Sequence, residues 1–129
     1  MILGIQPRCT IVDLTHDIAA GDIAAACFAL ESACPHFPEG TIHVAVVDPG
    51  VGSARRGIVV QTARCLLVGP DNGIFTFALG SPDLRSVFEL ANSRYFRDTP
   101  SATFHGRDIF APAAAHLAAG APPHDMGPA

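Results

Sequence analysis

Three side chains of different chemistry stand at turns of this sequence: Asp48, Arg55 and His105. Asp48 ends the apolar run "TIHVAVV", and the loop "DPGVGSARR" follows it. Pro49 fixes the turn, and Gly50 and Gly52 allow backbone angles or close approaches that other residues resist. Arg55 lies seven positions after Asp48, far enough for the loop to double back and bring a guanidinium to the carboxylate. A buried carboxylate is costly alone, and a returning arginine would compensate it. A solvated acid at a strand end, followed by an ordinary surface arginine, fits the same residues. His105 precedes a glycine at the start of a helical stretch, beside backbone N–H groups that favour negative charge. There it can serve as a general base, as an orienting donor, or only as a helix-entry residue.

Other candidates carry less. "GPDNG" (69–73) is ordinary turn chemistry, with Asn72 and Gly73 tolerant of positive φ. His16-Asp17 resembles the dyad of metal phosphohydrolases, but no matching set of His and Asp ligands follows, so no metal is expected. His43 falls mid-strand and His116 mid-helix, as packed or surface residues do. The glycines around Gly50 do not open a helix, which argues against a Rossmann cofactor.

The elements that must position these residues alternate in type. "CTIVDL" (9–14) reads as a short β-rich run. A helix follows, with Asp22 as N-cap and Ile23, Ala26, Cys27, Leu30 and Cys34 at helical spacing. Pro35 and Pro38 stop it. Thr41–Val47 reads as a strand covered on both faces. "GIVVQTA" and "CLLVGP" read as two strands joined by a tight turn near Arg64. Residues 74–79 fit a short helix and "SVFEL" a further strand. Residues 91–103 are polar and irregular, and "RDIFAPAAAHLAAG" is a last helix ending at Gly120, with Pro112 in its first turn or at a kink. The tail from Ala121 has nothing evident to bury and reads as the start of a linker. The expected architecture is an α/β domain over 1–120, with helices on the faces of a sheet and ligands at the strands' carboxyl ends.

Composition narrows the partners. The chain has 129 residues, 49% of them apolar and 16% charged, as in a single globular domain. All eight basic residues are arginines, scattered over a chain of net charge −4, which argues against nucleic acid. No apolar run reaches the roughly 18 residues that span a bilayer, so no membrane partner is expected. Four cysteines show no CxxC pair, which favours free thiols in a reducing, cytoplasmic compartment.

In order along the chain stand "IVDLTHDI", "FPEGTIHVAVVDPGVGSARR", "VGPDNGIF" and "TFHGRDIFAPAAAHLAAG". Together they closely resemble the S-adenosyl-L-methionine (SAM) hydroxide adenosyltransferases, or SAM hydrolases, relatives of the fluorinating and chlorinating enzymes. The resemblance runs from Cys9 to Gly120. It implies hydrolysis of SAM to adenosine and L-methionine, with an oxygen attacking the ribose 5′ carbon in line with the departing sulfur. The family's Asp-Arg-His trio falls on Asp48, Arg55 and His105, and the resemblance implies substrate contacts from Asp48, Asn72, Phe104 and Gly106. Phe104 reads equally as core packing, and Gly106 as leaving room beside the nucleophile. SAM is then a small-molecule substrate and no cofactor is implied.

The same resemblance implies parts that this sequence does not contain: a first strand with an acidic loop, and a C-terminal β-barrel domain, typically in a homotrimer. On this expectation Met1 falls inside the first helix, and residues 121–129 begin the interdomain linker. A truncated, non-catalytic remnant or assembly partner is the alternative expectation.

Overall fold

A computed structural model describes residues 1–101 and 103–129; Ala102, in the stretch expected to be irregular, lies outside the described residues. A short helix α1 (Ile2–Ile5) is followed by an extended segment and by helix α2 (Ile23–Ala33). Asp22 caps α2 as expected, its Oδ1 accepting from Ala25 N–H at 3.0 Å. Pro35 ends the regular helix in a single tight turn, Cys34–His36.

Strand β1 (Thr41–Val44) leads into the Asp48 loop, and β2 (Gly57–Thr62) and β3 (Cys65–Pro70) form a hairpin. Helix α3 (Thr76–Leu79) and strand β4 (Leu84–Glu89) come next. The last helical stretch opens as a π-helical turn over Gly106–Phe110 and continues as α4 (Ala111–Ala118), with Pro112 in its first turn, where its missing N–H is harmless.

The sheet order is β1-β3-β2-β4, with β1 parallel to β3 and the other pairs antiparallel. Alternation along β2 builds two cores. Val59 faces a cluster with Val68, Phe110, Ala113, Leu117 and Met126, while Ile58 and Val60 face one with Ala26, Leu30, Leu67, Ile74 and Phe75. The result is a mixed α/β unit with helices on both faces of a four-stranded sheet.

Three expectations are corrected. Residues 9–14 form no strand: Ile11, Val12 and Leu14 are exposed, and the backbone of 10–14 takes no part in pairing among the described residues. β-propensity alone cannot make a strand without a neighbour. β1 ends at Val44, short of the expected Val47, and it is neither covered on both faces nor paired on both edges. Ala45 N–H donates to Val68 O at 3.0 Å, so the backbone groups of Ile42, Val44 and Val46 point to an open edge. Val44 and Val46 are exposed. Between that edge and the 9–16 segment runs a cavity of about 790 Å³.

The tail, in turn, does have something to bury. Met126 is fully buried in the α4-side core, Pro128 O accepts from Glu89 N–H at 2.8 Å, and Met126 O accepts from Ala91 N–H at 3.0 Å. These bonds fasten residues 121–129 along the end of β4.

Candidate functional site

Asp48 and Arg55 are brought together by the loop between them. Val51 N–H donates to Asp48 O (3.2 Å) and Ser53 N–H to Gly50 O (2.9 Å), giving two successive turns that reverse the chain. Gly52 sits at φ +79°, where a side chain would be strained. Gly50 has no such angle. A Cβ there would lie 3.1 Å from Ser53 Oγ and 3.4 Å from Arg55 Cγ, so the loop packs closely over Gly50.

The guanidinium meets the carboxylate with two N–H groups. Nε donates to Asp48 Oδ1 at 2.9 Å, and Nη2 donates to Oδ2. The side chains are 13% and 5% exposed, so the pair is largely removed from water and its bidentate geometry offsets the desolvation of both charges. The Arg55 Cζ also lies 5.4 Å from the Phe110 ring centroid, over a fully buried aromatic face.

His105 completes the line from 50 residues away: its Nδ1 lies 2.8 Å from Arg55 Nη2. A guanidinium has donors only, so Nδ1 accepts and carries no proton. The ring is therefore neutral, with its proton on Nε2, leaving an N–H donor on the side away from Arg55. In this arrangement the lone pair of His105 is already engaged by Arg55.

The remaining candidates stand around this line in different ways. Asn72 is tied at both ends to backbone, Nδ2 donating to Val47 O at 2.8 Å and Oδ1 accepting from Ile74 N–H at 3.3 Å. It thereby fixes the residue that precedes Asp48. Phe104 is not core: it is 59% exposed, with the Arg107 guanidinium 4.9 Å from its ring centroid. Gly106 lies beside Val46, and both line the cavity next to β1. A Cβ on it would make ordinary contact with Val46 at 3.5 Å. The trio does not itself line the cavity beside β1, but Val47 and Gly106, chain neighbours of Asp48 and His105, do.

Two residues near the site were not legible beforehand. Phe110 supports Arg55 from below, and nothing in its spacing marks it. Asp108 is fully buried and bonded to two arginines, and a lone acid in an apolar helical stretch was the available signal. Away from the site, His43 is buried with Nε2 lacking a hydrogen-bond partner among the described residues, and burial holds it neutral by lowering its pKa. His16 pairs only with Asp13, at 3.5 Å, and no group of three or more metal-ligating side chains is found among the described residues. The four cysteines are free, and burial pushes the Cys34 thiol up to about 11, so it is a poor nucleophile at neutral pH.

The family model of the SAM hydroxide adenosyltransferase N-terminal domain matches residues 1–127. This chain belongs to the SAM hydroxide adenosyltransferase family. A (R)-S-adenosyl-L-methionine hydrolase from Salinispora tropica is 48% identical over 97% of the chain and 48% of its own length. A second, from Thermus thermophilus, is 48% identical over 95% of the chain and 50% of its own length. A crystal structure of an uncharacterized conserved protein from Thermotoga maritima superposes with a TM-score of 0.94 at 40% identity, over 98% of this chain and 49% of that one. The SAM hydroxide adenosyltransferase fold is thus present here in its N-terminal α/β part, and the chain spans about half the length of the curated relatives it matches.

Proposed function

We propose that this chain carries the nucleophile-holding side of an enzyme that hydrolyses SAM to adenosine and L-methionine. The observation that carries the reading is the hydrogen-bonded line from Asp48 through Arg55 to His105. A sulfonium is already an excellent leaving group, so methionine needs no proton to depart. The reaction needs an oxygen nucleophile held in line with the C5′–S bond and partly stripped of bulk water. The Nε2–H of His105 and the guanidinium of Arg55 are donors suited to hold a water and to favour its hydroxide form. The O–C5′ bond forms as the C5′–S bond breaks; the electron pair goes to sulfur, and the water's surplus proton is released. Asp48, with both oxygens engaged by Arg55, holds the guanidinium in place. No cofactor enters this scheme.

The substrate-binding roles of Asp48, Asn72, Phe104 and Gly106 belong to the same proposal, with Asn72 acting by fixing Val47, the residue before Asp48. The exposed Phe104 ring, two residues from Gly106, is consistent with a further surface closing over the site. We extend the proposal to the whole protein as a homotrimer with a C-terminal β-barrel, on family resemblance, and to the cytoplasm, on its free thiols. The family's first strand is proposed to occupy the cavity along the open edge of β1.

That cavity favours a second reading, an assembly partner that is inert by itself. Incubating SAM with the chain and separating the products by chromatography decides between them. Adenosine that disappears in Arg55→Ala supports the enzyme; no adenosine even at high protein concentration supports the partner.

A further inference from the structure

One buried acid has no part in the scheme above. Asp108 is fully buried in the π-helical turn that follows His105, and its carboxylate takes four bonds. Oδ1 accepts from Arg107 Nε (2.6 Å) and from Arg97 Nη1 (3.2 Å). Oδ2 accepts from Arg107 Nη2 (3.2 Å) and from Ser101 N–H (2.8 Å). Its backbone is engaged as well: Asp108 O accepts from Arg97 N–H at 2.9 Å, and Asp108 N–H donates to Phe104 O at 2.9 Å. These partners lie on both sides of His105 in the chain. The loop that arrives at the histidine and the turn that leaves it are therefore fastened to one carboxylate.

Both ends of that turn touch Arg55. His105 bonds its Nη2, and the Phe110 ring centroid lies 5.4 Å from its Cζ. A shift of the turn would move the hydrogen bond and the aromatic support together. Two guanidiniums and a backbone N–H hold the Asp108 carboxyl well below the usual carboxylate range, so the anchor is ionised at any working pH.

We infer that Asp108 is a positioning residue that sets the register of His105 against Arg55, and with it the tautomer of the imidazole. The inference rests on the proposed role of the trio, but its test does not depend on turnover. Long-range 1H–15N spectra of the chain read the His105 tautomer directly, with His105→Gln assigning the signal. The expected result is a single neutral Nε2–H form in the chain and a mixture of tautomers in Asp108→Asn. Exchange of the Arg55 Nε–H should also speed up by about tenfold or more, as loosening of its charge-assisted bond to Asp48 would produce.

Methyl signals of Val59 and Val68 show whether the core is intact. Should Asp108→Asn fail to fold, Arg107→Ala removes two of the four side-chain bonds while leaving the carboxylate paired to Arg97, and the same mixture is expected. A folded variant of either kind with an unchanged His105 tautomer and unchanged Arg55 exchange overturns the inference. A separate adenosine assay then tells failure of this anchor from failure of the hydrolase reading.

Discussion

At the scale of single residues, hydrogen-bond polarity does most to assign roles. Arg55 can only donate, so Asp48 and His105 both face it with acceptors, and the imidazole keeps its one proton on the free side. The Asp108 anchor makes stability depend on acid. Its folded carboxyl titrates below the ordinary value near 4, so its contribution is complete above that value. As pH falls below about 4, the unfolded chain takes up the proton first and the contribution is withdrawn. Urea midpoints followed from pH 6 to pH 2 should converge for the chain and Asp108→Asn, with the gap widest above pH 4.

Gly106 gives the opposite kind of prediction. Since the nearest atoms to a methyl there belong to Val46, at ordinary contact distance, Gly106→Ala should change thermal stability by less than about 1 kcal/mol, with stabilisation the favoured direction. That the glycine leaves room was an expectation from sequence; the neighbour it faces, Val46, follows β1 and lies 60 positions away. Asp22 and Pro35, by contrast, act on their own neighbours along the chain, and their roles were legible without a fold.

At the scale of elements, the open edge of β1 and the close packing of β3 are the features with consequences. Gly69 on β3 lies against β1 and Phe75 so tightly that a Cβ would fall 2.3 Å from Ala45 O and 2.9 Å from the Phe75 ring. A backbone oxygen cannot yield as a side chain can. Gly69→Ala should cost about 3 kcal/mol or more in chemical denaturation, and it should displace the segment that leads from β1 to Asp48. The β-branched runs of β1 and β2 announced themselves as strands. "CTIVDL" also carries a β-branched run and is no strand here, because pairing is a property of two segments and it has no partner among the described residues. The sheet order was likewise beyond reach, since nothing local says that β3 sits between β1 and β2.

At the scale of the whole molecule, two cores flank one sheet, and the tail seals one of them. Met126 stands in a stretch of Pro, Gly and Ala that reads as linker, yet it is fully buried among Leu90, Tyr95 and Leu117. One methionine in such a tail carries no periodicity, and only its docking on β4 shows its place. Met126→Ala should lower the unfolding free energy by about 2–5 kcal/mol in urea titration, where a linker residue would change it by less than about 0.5 kcal/mol.

The central claim concerns where the attacking oxygen comes from and what holds it. Incubating the chain with SAM in 18O-enriched water and weighing the products tests this most directly. The account predicts adenosine carrying one heavy oxygen, methionine carrying none, and neither product formed by Arg55→Ala. Unlabelled adenosine, or labelled adenosine formed equally well by Arg55→Ala, would contradict it.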